Sequence, residues 1–295
     1  MVSRGDSSIA KRLLRVVLIL AAAGFAMVAY VYLTLPDVRV LAKTNPTTSA
    51  FMELRANEAA REGHAVRHVH VWVPYSRMSQ NLKRAVLVAE DSAFWDHEGV
   101  DVEQLEESIR VNWEQGRAVR GASTITQQLA KNLYLSPSRN PLRKLRELII
   151  ARRLEAALTK VRIFEIYLNV IEWGDGIWGA DAASRTYFHV PASALGREQA
   201  ALLAGAIINP RVLNPARPTQ RLLRRQRIVL SRMGEVTPPT PAPVVASPVE
   251  TVEEGDQQLA EPDNSVSPSE QPPPPEGIPA EPVVPPAELL NPPTP

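Results

Sequence analysis

The chain of 295 residues contains no cysteine, which excludes disulfide bonds and fits an exported domain built without them. Basic residues are missing from one region. The segment 237–295 has ten acidic residues and no lysine or arginine, so the net charge of +1 divides into −10 for this segment and +11 for the rest. The segment holds 18 of the 27 prolines and cannot bury enough apolar surface to offset its chain entropy. We predict a disordered tail at 237–295.

Charge is also absent from a 20-residue apolar run near the N-terminus, Val16–Leu35. A helix of that length spans roughly 30 Å, the thickness of a bilayer core. A cleaved signal peptide is the alternative, but its apolar region is usually shorter, about 7 to 15 residues. We therefore predict a transmembrane anchor at 16–35. Basic residues are in excess before it, which predicts a cytoplasmic segment at 1–15 and an outward-facing domain beyond the anchor.

Strand signals are scarce between anchor and tail, and helical periodicity dominates residues 37–236. The stretch "GREQAALLAGAIINP" predicts a helix that stops before Pro210, and "TQRLLRRQRIVLSRMG" predicts one between a Thr219 cap and Gly234. The clearest strand is "RHVHVWVP", whose histidines, two residues apart, would suit zinc if a third ligand were near. None is close in sequence, so we predict a solvent-facing strand edge.

Two adjacent carboxylates, Glu90 and Asp91, end the apolar run of "AVLVAEDSAFWDHEGVD" at 85–101. The carbonyl end of a helix is its negative pole, so acidic residues are locally unfavourable there. This conflict indicates a functional requirement. A helix start follows in "RGASTITQQLAKN", where Thr124 and Gln127 have capping-box spacing. Its free N–H groups, its hydroxyls and the nearby Lys131 would also suit a phosphate, and the two interpretations are compatible.

A basic run covers residues 139–162, with eight basic and two acidic residues. A solvated helix face is the usual explanation of such a run. Arg143 and Glu147 lie one helical turn apart within it. A carboxylate amid so much positive charge suits the orientation of a cation or a hydroxyl better than proton donation. The apolar face of this helix is expected to consist of Leu142, Leu145, Leu148 and Ile149.

The next helix, "KVRIFEIYLNVIEW", places Glu165 and Asn169 on one face. Its buried stripe is expected to be Phe164, Leu168 and Ile171. The segment "GDGIWG" at 174–179 formally matches a dinucleotide-binding fingerprint. That fingerprint requires a preceding strand, whereas this segment follows a helix, so we predict a glycine-rich turn between helices.

The order of these pieces resembles the five motifs of the peptidoglycan glycosyltransferase family. The motifs are Glu90–Asp91 with Phe94, His97 and Gly99, then "GASTITQQ", "RKLRE", "KVRIFEIYLN" and "RQRIVL". The resemblance covers residues 74–233, and the single anchor with "TNPTTSAFM" at 44–52 resembles the monofunctional members. It implies a mainly α, lysozyme-like, two-lobed domain with one cleft, at 37–236.

The resemblance implies an enzyme that polymerises lipid II into β-1,4-linked glycan, with inversion and release of undecaprenyl diphosphate. It also implies a single-pass protein of the bacterial inner membrane with a periplasmic catalytic domain. A diphosphate leaves readily with cations and N–H donors, whereas the attacking sugar hydroxyl requires a base. Transpeptidation is excluded because the sequence has no Lys-Thr-Gly and its one Ser-x-x-Lys, Ser8–Lys11, precedes the anchor.

On the family's pattern, Glu90 is the general base and Glu147 is a second carboxylate that assists at the donor diphosphate. Asp91 and His97 are expected to shape the loop rather than react. The pattern places these residues at the substrate: Asp91, Phe94, His97, Ser123, Thr124, Gln128, Lys131, Asn132, Arg143, Lys144, Glu165, Asn169 and Arg225. No cofactor is required. A divalent cation, Mg or Mn, bridging Glu147 and the diphosphate is left open, as is neutralisation by Arg and Lys alone.

The expected partners are lipid II, the growing glycan strand and the bilayer. In the family, the segment equivalent to residues 100–120 dips into the membrane, and here it has the pattern of an amphipathic helix and loop. Other proteins of cell-wall synthesis or division are left open, nucleic acid is not expected, and the tail has no family counterpart. Two other classes compete: a lytic enzyme that cleaves glycan, and an inactive scaffold that binds through its tail. Lysozyme-type cleavage needs a protonated carboxyl, so the basic surroundings of Glu147 favour transfer.

Overall fold

The computed structural model describes residues 6–116, 121–137 and 140–239, and within these ranges the chain is mainly helical, as predicted. The helices are α1 (Asp6–Leu33), α2 (Ala50–Arg61), α3 (Gln80–Glu90), α4 (Val102–Glu114), α5 (Ile125–Tyr134), α6 (Pro141–Ala157), α7 (Lys160–Val170), α8 (Ala180–Phe188), α9 (Arg197–Ala206) and α10 (Gln220–Arg232). The strands are β1 (Val69–His70), β2 (Glu172–Gly174) and β3 (Ile177–Trp178). Short 3₁₀ helices lie at Val38–Ala42, Tyr75–Arg77 and Ala192–Ala194.

The predicted apolar N-terminal helix is confirmed as α1. Its segment Lys11–Tyr30 is long and apolar enough to cross a membrane, and none of that segment is buried in the protein. The helix ends at Leu33, two residues before the predicted end of the span. Leu35 instead packs against the core of the folded domain. The apolar run therefore combines a 28-residue helix with the beginning of a connector into that domain.

The helices that carry the candidate site pack into the hydrophobic core. The inner face of α3, Leu82 and residues 85–88, is buried, and α3 packs against α9. The helix α5 packs against both α6 and α7. The stripe predicted for α7, Phe164, Leu168 and Ile171, is buried as expected. Because each such side chain contributes about 1.5–3 kcal/mol on burial, these helix ends are rigidly placed.

Helix boundaries near the C-terminal end of the domain follow the sequence signals. The Thr219 hydroxyl accepts a hydrogen bond from a backbone N–H in the first turn of α10, at 3.4 Å, and this helix ends two residues before Gly234. The helix α9 ends at Ala206, ahead of Pro210. Both predicted helices are confirmed because their end signals are local.

The predicted strand is only partly confirmed. The sheet has the order β1-β3-β2, with β1 parallel and β2 antiparallel to β3, and only Val69–His70 of "RHVHVWVP" pairs with it. Beyond the paired residues, the Val73 N–H donates to the Asn169 side chain instead. The predicted solvent-facing edge is wrong for His70, which is half-buried with Nε2 3.0 Å from the Asn169 carbonyl oxygen. Burial lowers the pKa of His70.

The segment "GDGIWG" forms the β2–β3 hairpin, so the prediction of a simple turn between helices is wrong. Gly174 is the last residue of β2, so the segment does not directly follow a helix. That argument against a nucleotide-binding fingerprint is therefore wrong. The exclusion stands because an antiparallel hairpin is not the strand-to-helix unit that binds a dinucleotide. Gly176 has φ +66°, and a Cβ there would lie 2.3 Å from the Arg67 carbonyl oxygen, so the turn requires glycine.

Within the part of the chain that the structure describes, two helices besides α1 present apolar faces outside the core. The face predicted for α6 is not buried: Leu142, Leu145 and Leu148 are 41%, 42% and 36% exposed, and Ile149 is only partly buried. The buried residues of α6 are instead Glu147, Ile150, Ala151 and Leu154. The helix α4 has a similar stripe at helical spacing. Its exposed members are Val102, Leu105, Ile109 and Trp113.

The prediction of a disordered tail falls mainly on residues 240–295, which lie outside the described residues. Residues 237–239 are described. There the Tyr75 hydroxyl donates a hydrogen bond to the Pro239 carbonyl oxygen at 3.0 Å. The described part of the chain is therefore still in contact with the domain at its last residue, Pro239.

Candidate active site

Glu90 is the last residue of α3, and its side chain is partly exposed. Its Oε2 accepts a hydrogen bond from Gln128 Nε2 at 2.8 Å, and Gln128 Oε1 accepts one from the Tyr167 hydroxyl at 3.0 Å. The carboxylate can only accept, so these contacts fix which way the amide points. Burial raises the pKa of Glu90. The hydrogen bond from Gln128 and the charges of Arg225 and Lys131 oppose that rise.

Asp91 follows Glu90 directly but is buried and faces different partners. Both of its carboxylate oxygens lie 3.1 Å from His97 Nε2, and Oδ2 accepts the Ile125 N–H at 2.9 Å. The other ring nitrogen, Nδ1, accepts the Gly99 N–H at 3.1 Å, which is consistent with a ring that carries its proton on Nε2. Asp91 and His97 therefore tie the loop after α3 to the start of α5.

The start of α5 is joined to both neighbouring segments. Thr124 Oγ1 donates to the Gly99 carbonyl oxygen at 2.8 Å and accepts the Gln127 N–H at 3.2 Å. The predicted capping box is only half confirmed, because Gln127 Oε1 accepts from Lys144 Nζ at 3.2 Å rather than its side chain returning to Thr124. Ser123 is exposed immediately before the helix. Gln127 thus connects α5 to α6, a link that its spacing to Thr124 does not reveal.

Glu147 is buried on α6 between two cations. Its Oε2 accepts from Arg143 Nη1 at 2.6 Å, and its Oε1 accepts from Lys144 Nζ at 2.5 Å. The Glu147 side chain is 4% exposed, whereas that of Lys144 is 51% exposed. The predicted one-turn pairing of Arg143 with Glu147 is confirmed. Both oxygens of this carboxylate are engaged by positive charge.

Lys131 on α5 interacts electrostatically with both carboxylates, Glu90 and Glu147. Burial lowers its pKa, and the nearby cations of α6 also lower it, while Glu147 and Glu90 act in the opposite direction. Arg225 on α10 approaches Glu90 from another side, with its Nε donating to the Gly205 carbonyl oxygen at 2.9 Å. The structure therefore brings residues from α3, α5, α6 and α10 into one group of opposite charges.

Glu165 and Asn169 share a face of α7, but the structure does not bring them to Glu90. Glu165 Oε2 accepts the Tyr75 N–H at 2.7 Å. Asn169 is fully buried, and its amide binds both the N–H and the carbonyl oxygen of Val73, each at 2.9 Å. These contacts hold the segment 73–75 against α7. They give both residues a positioning role.

Phe94 and Asn132 also make contacts inside the protein. Phe94 is fully buried and meets Trp95 edge-on, with ring centroids 4.9 Å apart. Asn132 is 8% exposed, and its Nδ2 donates to the Gln128 carbonyl oxygen at 2.8 Å. Their contacts support the loop after α3 and the helix that carries Gln128.

Sequence reasoning missed Tyr167, the fully buried residue that orients Gln128. Burial raises its pKa well above the ordinary value, with Glu90 and Asp91 acting in the same direction, so the hydroxyl stays protonated as a donor. Its one sequence signal is its place within "KVRIFEIYLN". Helical spacing alone assigns an aromatic residue there to the core.

Among the described residues, one group of carboxylate and imidazole atoms lies close enough to hold a metal ion: Asp91, His97 and Asp101, within 4.8 Å of one another. Asp91 already binds His97 and a backbone N–H, and Asp101 Oδ1 accepts the Gln104 N–H at 2.7 Å to cap α4. The predicted cation position was Glu147. Side-chain cations already contact both of its oxygens, so the donor set there suits positive side chains.

The fold and the site together define a helical enzyme domain that follows a membrane-type helix and sets a carboxylate of raised pKa beside several cations. Residues 57–234 match the family model described as transglycosylase. The chain belongs to the transglycosylase family, which confirms the resemblance indicated by the ordered motifs.

Several curated relatives carry the name biosynthetic peptidoglycan transglycosylase. The relative from Methylobacillus flagellatus is 49% identical over 189 residues, which cover 64% of this chain and 82% of the relative. The relative from Dechloromonas aromatica is 48% identical over 189 residues, with the same two shares. The relative from Chromobacterium violaceum is 45% identical over 221 residues, covering 75% of this chain and 97% of the relative.

Proposed function

We propose that this protein polymerises lipid II into β-1,4-linked glycan strands and releases undecaprenyl diphosphate. The GlcNAc 4-hydroxyl of the incoming lipid II attacks the anomeric carbon of the lipid-linked growing strand. The new glycosidic bond forms as the bond from that carbon to the diphosphate breaks, with inversion, and the hydroxyl proton passes to Glu90. Family membership and the shared name of the relatives support this reaction.

The observation that carries the residue assignment is the environment of Glu90. Glu90 is a partly exposed residue, and burial of its carboxyl group raises its pKa. A general base works best when its pKa approaches the operating pH, since it is then both ionised and strongly proton-accepting. Gln128 holds the carboxylate in place with a donated hydrogen bond. Glu90 is thus the general base of the proposed reaction.

The leaving diphosphate is assigned to the cations around Glu147. The Glu147 carboxylate holds Arg143 and Lys144 in place. Lys131 interacts electrostatically with both Glu147 and Glu90. Donors placed where negative charge develops stabilise a transition state without reorganising. Glu147 accepts hydrogen bonds on both oxygens, so its role is to hold the cations rather than to donate a proton.

No divalent cation is required in this proposal, because side chains already supply positive charge at Glu147. A chelator such as EDTA should change the rate of glycan formation less than about twofold, since charge-assisted hydrogen bonds serve the diphosphate directly. A large loss of rate that added Mg or Mn restores would contradict this part of the proposal and place a metal at the carboxylate.

The anchor and two exposed apolar faces support attachment to a bilayer. The helix α1 can span it, and the stripes of α4 and α6 offer apolar side chains to its surface. The excess of positive charge before the span favours a cytoplasmic N-terminus and a periplasmic domain at the bacterial inner membrane. Both substrates hang from the same bilayer, so tethering raises their effective concentration.

The absence of native cysteine allows a direct test of orientation. Ser3→Cys and Glu62→Cys place single thiols on the two sides of the anchor. In intact spheroplasts a membrane-impermeant maleimide should label the cysteine at position 62, and the cysteine at position 3 only after permeabilisation. The reverse pattern would contradict the proposed orientation.

The deciding experiment for function uses purified full-length protein and labelled lipid II, with preformed peptidoglycan as a second substrate. We expect polymer from lipid II, none from Glu90→Gln, and no soluble sugars from preformed wall. Absence of polymer with the unmodified protein would rule out the proposed reaction. Reducing or anhydro sugars released from wall would indicate a lytic enzyme, and full cellular function of Glu90→Gln would indicate a scaffold.

A further inference from the structure

Two segments that begin before the residues matched by the family contact the helices that carry the cations of the candidate active site. The anchor helix contacts α6, where the Arg146 guanidinium lies 5.9 Å from the centre of the Tyr30 ring and Arg153 Nη2 donates to the Tyr32 carbonyl oxygen at 3.1 Å. The other segment is α2, which contacts α5. The family match begins at residue 57, so residues 50–56 of α2 precede it. The reaction proposed above involves no residue of α2.

The beginning of α2 is held on the domain from both sides. Before the helix, Arg162 Nη2 on α7 donates to the Thr44 carbonyl oxygen at 2.8 Å. Ser49 caps the helix, since its Oγ accepts a backbone N–H of the first turn at 3.2 Å. Within the helix, Arg55 Nε donates to Glu172 Oε2 at 3.1 Å, and the Glu172 side chain is only 6% exposed. The residues between Ser49 and Arg55 therefore have a fixed place.

Phe51 lies in this fixed stretch, beside Lys131 of α5. The Lys131 ammonium lies over the face of the Phe51 ring, 5.7 Å from its centre. Lys131 in turn interacts electrostatically with Glu147 and Glu90. Phe51 is partly exposed, and in the described part of the chain it is not one of the side chains that pack against the hydrophobic core. It therefore presents an aromatic face beside the cations of the site.

We propose that Phe51 stacks against the sugar ring that carries the leaving diphosphate, the N-acetylmuramoyl ring at the reducing end of the growing strand. Lys131 contacts the diphosphate, and Phe51 contacts the sugar bonded to it. This inference rests on the proposed polymerisation of lipid II and adds a specificity-determining residue to it. The residue belongs to "TNPTTSAFM", a stretch that lies before the matched residues 57–234.

The chemistry of the two side chains selects a sugar that bears an anion. A pyranose chair with mostly equatorial substituents directs its axial C–H bonds to its faces, so these faces are apolar. The face of an aromatic ring carries partial negative charge and attracts such hydrogens. The same face repels phosphate oxygens, which the Lys131 ammonium attracts. Phe51 and Lys131 therefore suit different parts of one ligand, a sugar and its diphosphate.

Steady-state kinetics on lipid II test the stacking contact. Phe51→Leu keeps an apolar side chain but removes the aromatic face, so KM should rise about fivefold, whereas Phe51→Tyr keeps the face and should stay within about twofold. Phe188→Leu is the matched control, because Phe188 is a partly buried phenylalanine of α8 that packs against the hydrophobic core. Its KM should be normal. An unchanged KM in a folded Phe51→Leu protein, with folding checked by thermal unfolding, would overturn the proposal.

Inhibition by inorganic pyrophosphate separates sugar stacking from an effect of Phe51 on Lys131. We expect the inhibition constant to stay within about twofold in Phe51→Leu and to rise about tenfold in Lys131→Ala, since only the latter removes a charge from the diphosphate site. If Phe51→Leu weakened pyrophosphate inhibition as much as it raised KM, the proposal would be overturned. Phe51 would then be a positioning residue for Lys131.

A binding measurement gives a readout that does not require turnover. The probe is the lipid-free disaccharide GlcNAc-MurNAc 1-diphosphate, mixed with full-length protein in deuterated detergent micelles. Saturation-transfer NMR with irradiation of aromatic protons should mark the ring C–H protons of MurNAc, with roughly threefold less signal in Phe51→Leu and an unchanged signal in Phe188→Leu. Equal signals from the two variants, or saturation confined to GlcNAc, would contradict the stacking contact.

The two proposals can fail separately. If the unmodified protein forms no polymer from lipid II, the proposed function fails, while the NMR signals still report on the contact between Phe51 and the sugar. If the protein polymerises lipid II and Phe51→Leu behaves like Phe188→Leu in both measurements, only the present inference fails.

Discussion

Glu90 and Glu147 are two carboxylates of one site with opposite surroundings. Glu90 is partly exposed and accepts a hydrogen bond from the neutral amide of Gln128, whereas Glu147 is buried and accepts from the cations Arg143 and Lys144. A neutral donor stabilises negative charge less than a cation does. In the proposed reaction, the same side chain therefore takes up a proton at one position and holds positive charge at the other.

The largest expected effect comes from removing the base. Glu90→Gln keeps the size of the side chain but cannot accept the proton, so polymerisation of labelled lipid II should fall by at least about 100-fold. Glu90→Asp, which keeps the carboxyl but shortens its reach, should retain intermediate activity. A Glu90→Gln protein with more than a tenth of normal activity would contradict the assignment.

The same substitution should not harm folding. Because burial raises the pKa of Glu90, ionising it in the folded protein costs stability, and this cost grows as the pH rises above the ordinary carboxyl range. Glu90→Gln should therefore have a Tm equal to or above that of the unmodified protein at pH 7, with the difference vanishing near pH 4. Thermal unfolding at both pH values measures this, and a lower Tm at pH 7 would oppose it.

Glu147→Gln should reverse the pattern and harm both activity and folding. It removes the negative charge that Arg143 and Lys144 share, which should lower the stability by about 1–2 kcal/mol, a modest figure because Lys144 is half exposed. The rate of polymerisation should fall roughly tenfold through loss of ordered cations. Denaturant unfolding and steady-state kinetics measure the two effects, and an unchanged stability would argue against a cation-holding role.

A smaller effect is expected when the support of the base is changed. Gln128→Ala removes a hydrogen bond that lowers the pKa of Glu90, so that pKa should rise further. The acidic limb of the kcat/KM profile should move upward by about one pH unit. Tyr167→Phe, which only releases the orientation of the amide, should move it less. A limb that stays in place in Gln128→Ala would assign it to another group.

The smallest effect on catalysis is expected outside this pair of carboxylates. Asn169→Ala leaves the N–H and carbonyl oxygen of Val73 without their amide partner, so the stability should drop by about 1–3 kcal/mol. The KM for lipid II and the kcat per folded molecule should stay within about twofold. A selective rise in KM without loss of stability would instead place Asn169 at the substrate.

Sequence reasoning succeeded where a feature depends on neighbours in the chain. The pairing of Arg143 with Glu147 and the Thr219 cap follow from spacing within one helix. The contacts of Tyr167 with Gln128 and of Asp91 with the Ile125 N–H join distant segments, and no local pattern indicates them. They depend on how α3, α5 and α7 pack together.

The predicted burial is wrong on the surface of α6 that lies near the anchor helix. Leu142, Leu145 and Leu148 of α6 have the spacing of a core face, yet they are exposed next to a helix that can cross a membrane. An apolar stripe has the same sequence pattern whether protein or lipid covers it. The hairpin in "GDGIWG" is not predicted by the local sequence, because one of its strands, β3, pairs with β1 from a distant part of the chain.

Arg146 and Arg153 attach α6 to the anchor at two points about 10 Å apart along the helix. One contact would allow the domain to swivel about its stem, and a second contact restricts that rotation. In the proposed reaction, the site then stays near one height and one tilt above the bilayer, while lipid-linked substrates diffuse at a constant depth beside it. Enzyme and substrate then meet by diffusion in a plane and are already aligned. Much of the translational and rotational entropy of association is therefore lost before binding begins.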